Sequence, residues 1–137
     1  MPNSTNYFNT LIEVAEDTKA KSGVEPPLRG SKKSVANYEF EMIYQNPYKY
    51  TSDDVFFGVY ALRNEISQAS LQREREQFFS KGRPCFRASP LTKTYGWGVH
   101  SNEQGKVAIY AMDSEEYAQL VNDREIAKKK AMRSSRK

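Results

Sequence analysis

The sequence predicts an α+β fold: a small, mainly antiparallel sheet with a central hairpin, covered by three or four helices. Three observations predict it. Residues 97–112 read as two apolar runs around a Glu103-Gln104-Gly105 loop. Phe8 to Ala15 alternates with the period of two that belongs to a half-buried strand. Between and after these, segments with helical spacing open on Ser or Thr and close on Gly, Pro or Asn-Pro.

The elements follow in chain order. Phe8, Thr10, Ile12 and Val14 alternate with Asn9, Leu11, Glu13 and Ala15, which places the first strand there. Residues 17–33 hold two glycines, Pro26-Pro27 and five Lys or Arg, a composition that reads as loop. Ser34 is an N-cap candidate for a helix whose apolar face carries Val35, Tyr38 and Met42 beside Ile43, ended by Asn46-Pro47. Thr51 to Asp54 (TSDD) then supplies an N-cap candidate and first-turn acids for a segment with Val55, Val59 and Leu62 along one face and Phe56 and Tyr60 beside them. Its VFFGVYAL stretch also suits a strand, and Gly58 weakens a helix. Ser67 or Ser70 opens the next helix, with Leu71, Phe78 and Phe79 inward, and Gly82 and Pro84 close it.

Ser89-Pro90 combines an N-cap with proline at the first helical position, and Gly96 stops the short turn that follows. In the hairpin, Asn before the loop and Gly105 at its third position predict a type I turn with a glycine bulge. That loop pairs Asn102 with Lys106, Ser101 with Val107, His100 with Ala108, Val99 with Ile109, Gly98 with Tyr110 and Trp97 with Ala111. Asp113 or Ser114 caps a last helix with Tyr117, Leu120 and Val121 inward. The expected organisation is one globular domain over residues 1–123 and a basic C-terminal tail or edge strand over 124–137.

The net charge of +4 describes no uniform surface. Residues 124–137 carry +6 and residues 1–123 carry −2. Within the latter, residues 80–106 form a local +4 segment containing Lys81, Arg83, Arg87, Lys93 and Lys106. A single Cys forms no internal disulfide, and the opening MPNSTNYFNT lacks a secretory pattern, so a cytoplasmic location is expected. No apolar run approaches the roughly 20 residues of a membrane span.

Candidate chemistry concentrates in the 81–110 segment. One hairpin face carries Trp97, Val99, Val107, Ile109 and Ala111 and should be core. The other carries Gly98, His100, Asn102, Lys106, Ala108 and Tyr110, which either leaves room for a ligand or lies under a helix with His100 and Tyr110 hydrogen-bonded. The second arrangement is the commoner one. The Ser89 turn exposes amides beside Lys81, Arg83, Arg87 and Lys93, which suits an anion, although Ser-Pro is also an ordinary cap. Cys85 lies among cations that favour a thiolate nucleophile, with His100 as its base, but most free cysteines are small buried hydrophobes. One Cys and one His do not make a tetrahedral zinc site, carboxylates lack EF-hand spacing, and no cofactor is expected.

Three stretches carry a resemblance: NYFNTLIEVAED, NPYKYTSDDVFFGVYALRNEI, and FFSKGRPCFRASPLTKTYGWGVHSNEQGKVAIYAMDSEEY. Together they resemble a family of small single-domain proteins classed as a domain of unknown function, six-one-five-seven in that series. The resemblance spans nearly the whole chain and implies no activity. Its motif falls on Cys85, Arg87, Ser89, Lys93, His100, Lys106 and Tyr110 among others, and Gly58 stands where the family has an acid.

The leading functional expectation is a binding module for a small anionic ligand or an acidic partner. Arg87, Lys93 and Lys106 would neutralise charge, Ser89 would donate amides, and His100 and Tyr110 would set orientation. The alternatives are an enzyme using Cys85 or His100 and a nucleic-acid accessory protein acting through the basic tail. Nothing in the sequence specifies an oligomeric state.

Overall fold

In the computed structural model, which describes residues 3–28 and 30–134, the sheet is built outward from Thr10–Glu13. This strand, β1, pairs antiparallel with β2 (Trp97–Ser101) and parallel with β4 (Ala127–Lys130). Strand β3 (Val107–Ala111) pairs antiparallel with β2 and completes the order β3-β2-β1-β4. The hairpin register is the one expected from its loop, with Trp97 opposite Ala111 through to Ser101 opposite Val107. Asn102 organises the loop by accepting the Gln104 and Lys106 amides on Oδ1, and Gly105 takes a φ of 80°, where a Cβ would be strained.

Two details of the first strand differ from the expectation. Phe8 lies outside it and is 58% exposed, while Leu11, on the side read as polar, is fully buried. An interior strand covered on both faces does not alternate, because neither face meets water.

Helices cover the two faces unequally. On the face of Ile12, Val99 and Ile109 lie α1 (Val35–Tyr44), α2 (Ser52–Arg63) and the single-turn α4 (Pro90–Lys93), whose Phe40, Ile43, Val55, Val59 and Leu91 share one core with the strands. Capping explains where α1 and α2 begin. Ser34 and Asn37 form one capping box and Thr51 and Asp54 another, so each start satisfies two backbone donors. The segment over residues 51–64 is therefore helix, although Leu62, expected inward, is 56% exposed. In α1 the buried stripe is Ala36, Glu39, Phe40 and Ile43, with Val35, Tyr38 and Met42 only partly covered, a rotation from the expected face. A 3-10 turn over Gln68–Ser70 precedes α3 (Leu71–Phe78), and neither Ser67 nor Ser70 caps it through its side chain.

On the other face lies α5 (Glu115–Asn122), opened by Ser114, whose hydroxyl accepts the Tyr117 amide. Tyr117 packs directly on Gly98, and its hydroxyl accepts the Val14 amide at 3.1 Å. The sheet is thus held between two layers, with the N-terminal strand β1 and the C-terminal strand β4 paired at one side of it. The Lys130 carbonyl accepts the Arg87 Nε–H at 2.7 Å, and Met132 donates to the Arg87 carbonyl.

A Cβ at Gly98 would overlap the Tyr117 ring. Gly98→Ala is expected to cost about 1–3 kcal/mol of stability by overpacking. In urea denaturation its combination with Tyr117→Leu should cost less than the sum of the two single changes, because the pair share one contact.

Candidate functional site

Rotation of α1 brings a carboxylate inside the protein. Glu39 is 1% exposed, and its Oε1 accepts the Ser89 hydroxyl at 2.7 Å. Ser89 is held in place by its own cap, since the same hydroxyl oxygen accepts the Leu91 amide at 3.1 Å. Thr92 reinforces the turn by donating to the Phe86 carbonyl at 2.6 Å. Among the described residues no cation pairs with Glu39, and burial pushes its carboxyl up from 4.5 to about 7, opposed only by the Ser89 hydrogen bond.

Glu39 and Ser89 line a cavity of about 280 Å³ between α1, α2 and the chain leading into α4. Its walls are largely apolar, with Val35, Phe56, Val59 and Phe78 contributing, and its open side carries the exposed Arg63 and Arg83. Arg83 is fixed there: its Nε donates to the Phe78 carbonyl at 2.7 Å, and its guanidinium lies 3.9 Å from the centroid of the Phe78 ring. Neither arginine makes an ion pair among the described residues. Cys85 also lines the cavity, with its sulfur 3.4 Å from the Tyr7 hydroxyl. That contact, with burial, raises the Tyr7 phenol, while Arg87 works the other way.

The sequence-derived candidates fall into three places. Ser89 and Cys85 belong to this cavity. Arg87 lies beside Tyr7, with its Nε on β4. His100 and Tyr110 lie on the α5 side of the sheet and meet through a residue the sequence reading did not single out: Tyr48 is 2.7 Å from His100 Nδ1 and 2.9 Å from the Tyr110 hydroxyl. Tyr48 reaches them because its backbone, at a φ of 60°, donates to the Val107 carbonyl at the sheet edge. Burial and the Tyr110 hydroxyl raise the Tyr48 phenol, and burial lowers the His100 imidazole against the nearby Asp123. His100 Nε2 is buried without a hydrogen-bond partner among the described residues, and the residue borders a second cavity of about 590 Å³ with Asn102, Glu103, Asp123 and Glu125. Lys93 and Lys106 line neither cavity. His100 therefore contacts a phenol rather than Cys85, and the 81–110 segment supplies residues to two sides of the sheet.

Within the basic C-terminal stretch, Lys128 donates to the Asp123 and Ile126 carbonyls, Lys130 pairs with Glu13 at 3.6 Å, and Arg133 with Glu16 at 3.5 Å. Arg136 and Lys137 lie outside the described residues. No group of three or more potential metal ligands occurs among the described residues, and none of their helices is long and apolar enough to cross a membrane.

Glu39 and Tyr48 each give a stability test. Because the folded carboxyl of Glu39 titrates above its unfolded value, its contribution is fully present below about pH 4.5 and is lost as pH rises through about 7. Glu39→Gln removes the ionisation. Its stability relative to wild type should rise by about 3 kcal/mol between pH 4 and pH 8, read from urea midpoints. Tyr48→Phe leaves His100 Nδ1 and Tyr110 without their shared partner and is expected to cost about 1–3 kcal/mol in the same assay.

No curated protein and no solved structure matches the chain. A family model does, over residues 2–137, a span that includes the whole motif-bearing sequence and the lining of both cavities. The chain belongs to the family of unknown function DUF6157.

Proposed function

We propose that this protein binds small anions that carry a carboxylate on an apolar body, in the cavity between α1, α2 and the Ser89 turn, and that it does so in the cytosol. The observation that carries this reading is the pairing of two arginines free of carboxylate partners, among the described residues, with apolar walls around a buried polar pair. Enclosed apolar surface supplies affinity, and a few converging polar groups supply orientation. The volume, near the lower end for ligand sites, suits a small molecule rather than a peptide. Arg63 and Arg83 take the charge-neutralising role expected of Arg87, Lys93 and Lys106, and Ser89 keeps its place in the site.

Catalysis through Cys85 or His100 has less support, because the contacts of these side chains are with Tyr7 and Tyr48 rather than with each other. A nucleic-acid role for the C-terminal stretch is weakened by the internal contacts of Lys128, Lys130 and Arg133.

Thermal shift with 3-phenylpropanoate tests the reading. At about ten times its dissociation constant, the ligand should raise Tm by roughly 5 °C. The shift should vanish in an Arg63→Ala, Arg83→Ala double variant and persist in Lys106→Ala. An unchanged shift in the double variant overturns the assignment.

A further inference from the structure

The cavity that takes the carboxylate is polar in two separate places. Arg63 and Arg83 are exposed at its open side, whereas Glu39 and Ser89 are buried residues of its wall. Burial raises the Glu39 carboxyl and only the Ser89 hydrogen bond opposes it, so neither arginine charge is felt there. A ligand that serves both places therefore needs a polar group at each end of an apolar spacer. The apolar lining is largely aromatic, with Phe56, Tyr60 and Phe78 contributing, the last two with ring centroids 4.9 Å apart. Such walls favour an aromatic spacer, and a volume of about 280 Å³ has room for one ring. A ring also holds its substituents apart without the rotational freedom that an alkyl chain loses on binding.

The chemistry of the buried wall selects the second polar group. Glu39 accepts one hydrogen bond, from the Ser89 hydroxyl at 2.7 Å, where a carboxylate has room for about four. With its carboxyl raised to about 7, Glu39 occurs at neutral pH both as the carboxylate and as the acid. A hydroxyl donates to the first form and accepts from the second. An ammonium matches only the carboxylate, a carbonyl matches only the acid, and an apolar end matches neither.

We propose that the ligand of this cavity is a hydroxyaryl carboxylate, with its carboxylate at Arg63 and Arg83, its ring against Phe56 and Phe78, and its hydroxyl on the buried pair of Glu39 and Ser89. The proposal rests on the reading of the cavity as a carboxylate site and names the group at the other end of the ligand. A site built to hydrogen-bond a hydroxyl discriminates against the analogue without it, because its own buried polar groups are then left unmatched. Glu39 is the one carboxyl of the lining, whose other titratable or charged groups are Tyr60 and Arg63 on α2 and Arg83 and Cys85 on the segment before α4. Since a hydroxyl serves both forms of Glu39, the preference holds on either side of neutral pH.

Calorimetry on the full chain compares 4-hydroxybenzoate, 4-hydroxyphenylacetate and 3-(4-hydroxyphenyl)propanoate with their parents lacking the hydroxyl, at pH 6 and pH 8. The series varies how far the carboxylate stands from the ring. In at least one pair the hydroxyl should tighten binding about tenfold at both pH values. 6-Hydroxyhexanoate, which lacks the ring, should bind at least tenfold more weakly than that compound. The gain should fall below twofold in Glu39→Leu, and it should also be lost in the unaltered protein when a methyl group replaces the hydroxyl. A gain below twofold in every pair, a gain confined to one pH, an undiminished gain in Glu39→Leu, or equal affinity for 6-hydroxyhexanoate overturns the hydroxyaryl assignment, and binding of the parents then leaves the carboxylate site standing. Absence of binding by all the aromatic compounds overturns both.

Discussion

The structure depends on the double pairing of β1. Three of its residues pair with β2 on one edge and four with β4 on the other, so two strands from the C-terminal half of the chain meet on an N-terminal segment buried on both faces. Leu11 and Ile12 point in opposite directions and are both covered, one on the α5 side and one in the core of α1, α2 and α4. Neither cover is dispensable, since exposing either face would leave a fully apolar side chain in water at about 1.5–3 kcal/mol. Joining remote ends carries a loop-closure cost that only completed pairing offsets. The Arg87 to Lys130 and Met132 to Arg87 hydrogen bonds belong to that completion, fixing the exit of β4 to the turn that leads into α4.

The same turn links the fold to the cavity. Ser89 has three roles at one atom or next to it: it starts α4, it donates to Glu39, and it lines the cavity wall. Phe86 and Leu91, both fully buried, anchor the turn on either side, and the Phe56 ring of α2 lies tilted against Phe86 with centroids 4.5 Å apart. The cavity walls are therefore partly core, where Glu39, Val59, Phe78 and Ser89 are buried, and partly the exposed irregular stretch of Arg83 and Pro84.

Much of this was legible in the sequence, for local reasons. The hairpin register followed from Asn102 and Gly105, whose side chain and backbone form the loop without help from elsewhere. The caps at Ser34 and Ser89 were legible for the same reason, and those of α2 and α5 were legible as the stretch Thr51 to Asp54 and the pair Asp113 and Ser114. What escaped depends on the neighbours. A helix such as α1 has two plausible apolar stripes, and Glu39 sits on the one actually buried, between Ala36 and Ile43. A charged residue there argues against burial until the Ser89 hydroxyl is known to face it. The spacing of Ala36, Phe40 and Ile43 was the available signal. Tyr48 escaped because its role arises from a left-handed backbone after Pro47, which no periodicity encodes. His100 and Tyr110 were correctly placed on one face, and the phenol between them came from a distant segment.

Charge distribution is the step that changes the functional reading. Sequence proximity grouped Arg83 with Arg87, Lys93 and Lys106, but folding separates them by what each side chain touches. Arg87 takes up a carbonyl of β4, and the lysines of β4 lie on an edge strand, where Lys discourages pairing with another chain. Arg83 alone of that group reaches the cavity, where it meets Arg63, a residue 20 positions earlier with no basic neighbour in sequence. Two cations and one buried acid around an apolar space are a different object from a basic patch. A patch attracts any anion and is screened by salt, whereas charges beside apolar cavity walls also select for the shape of what enters.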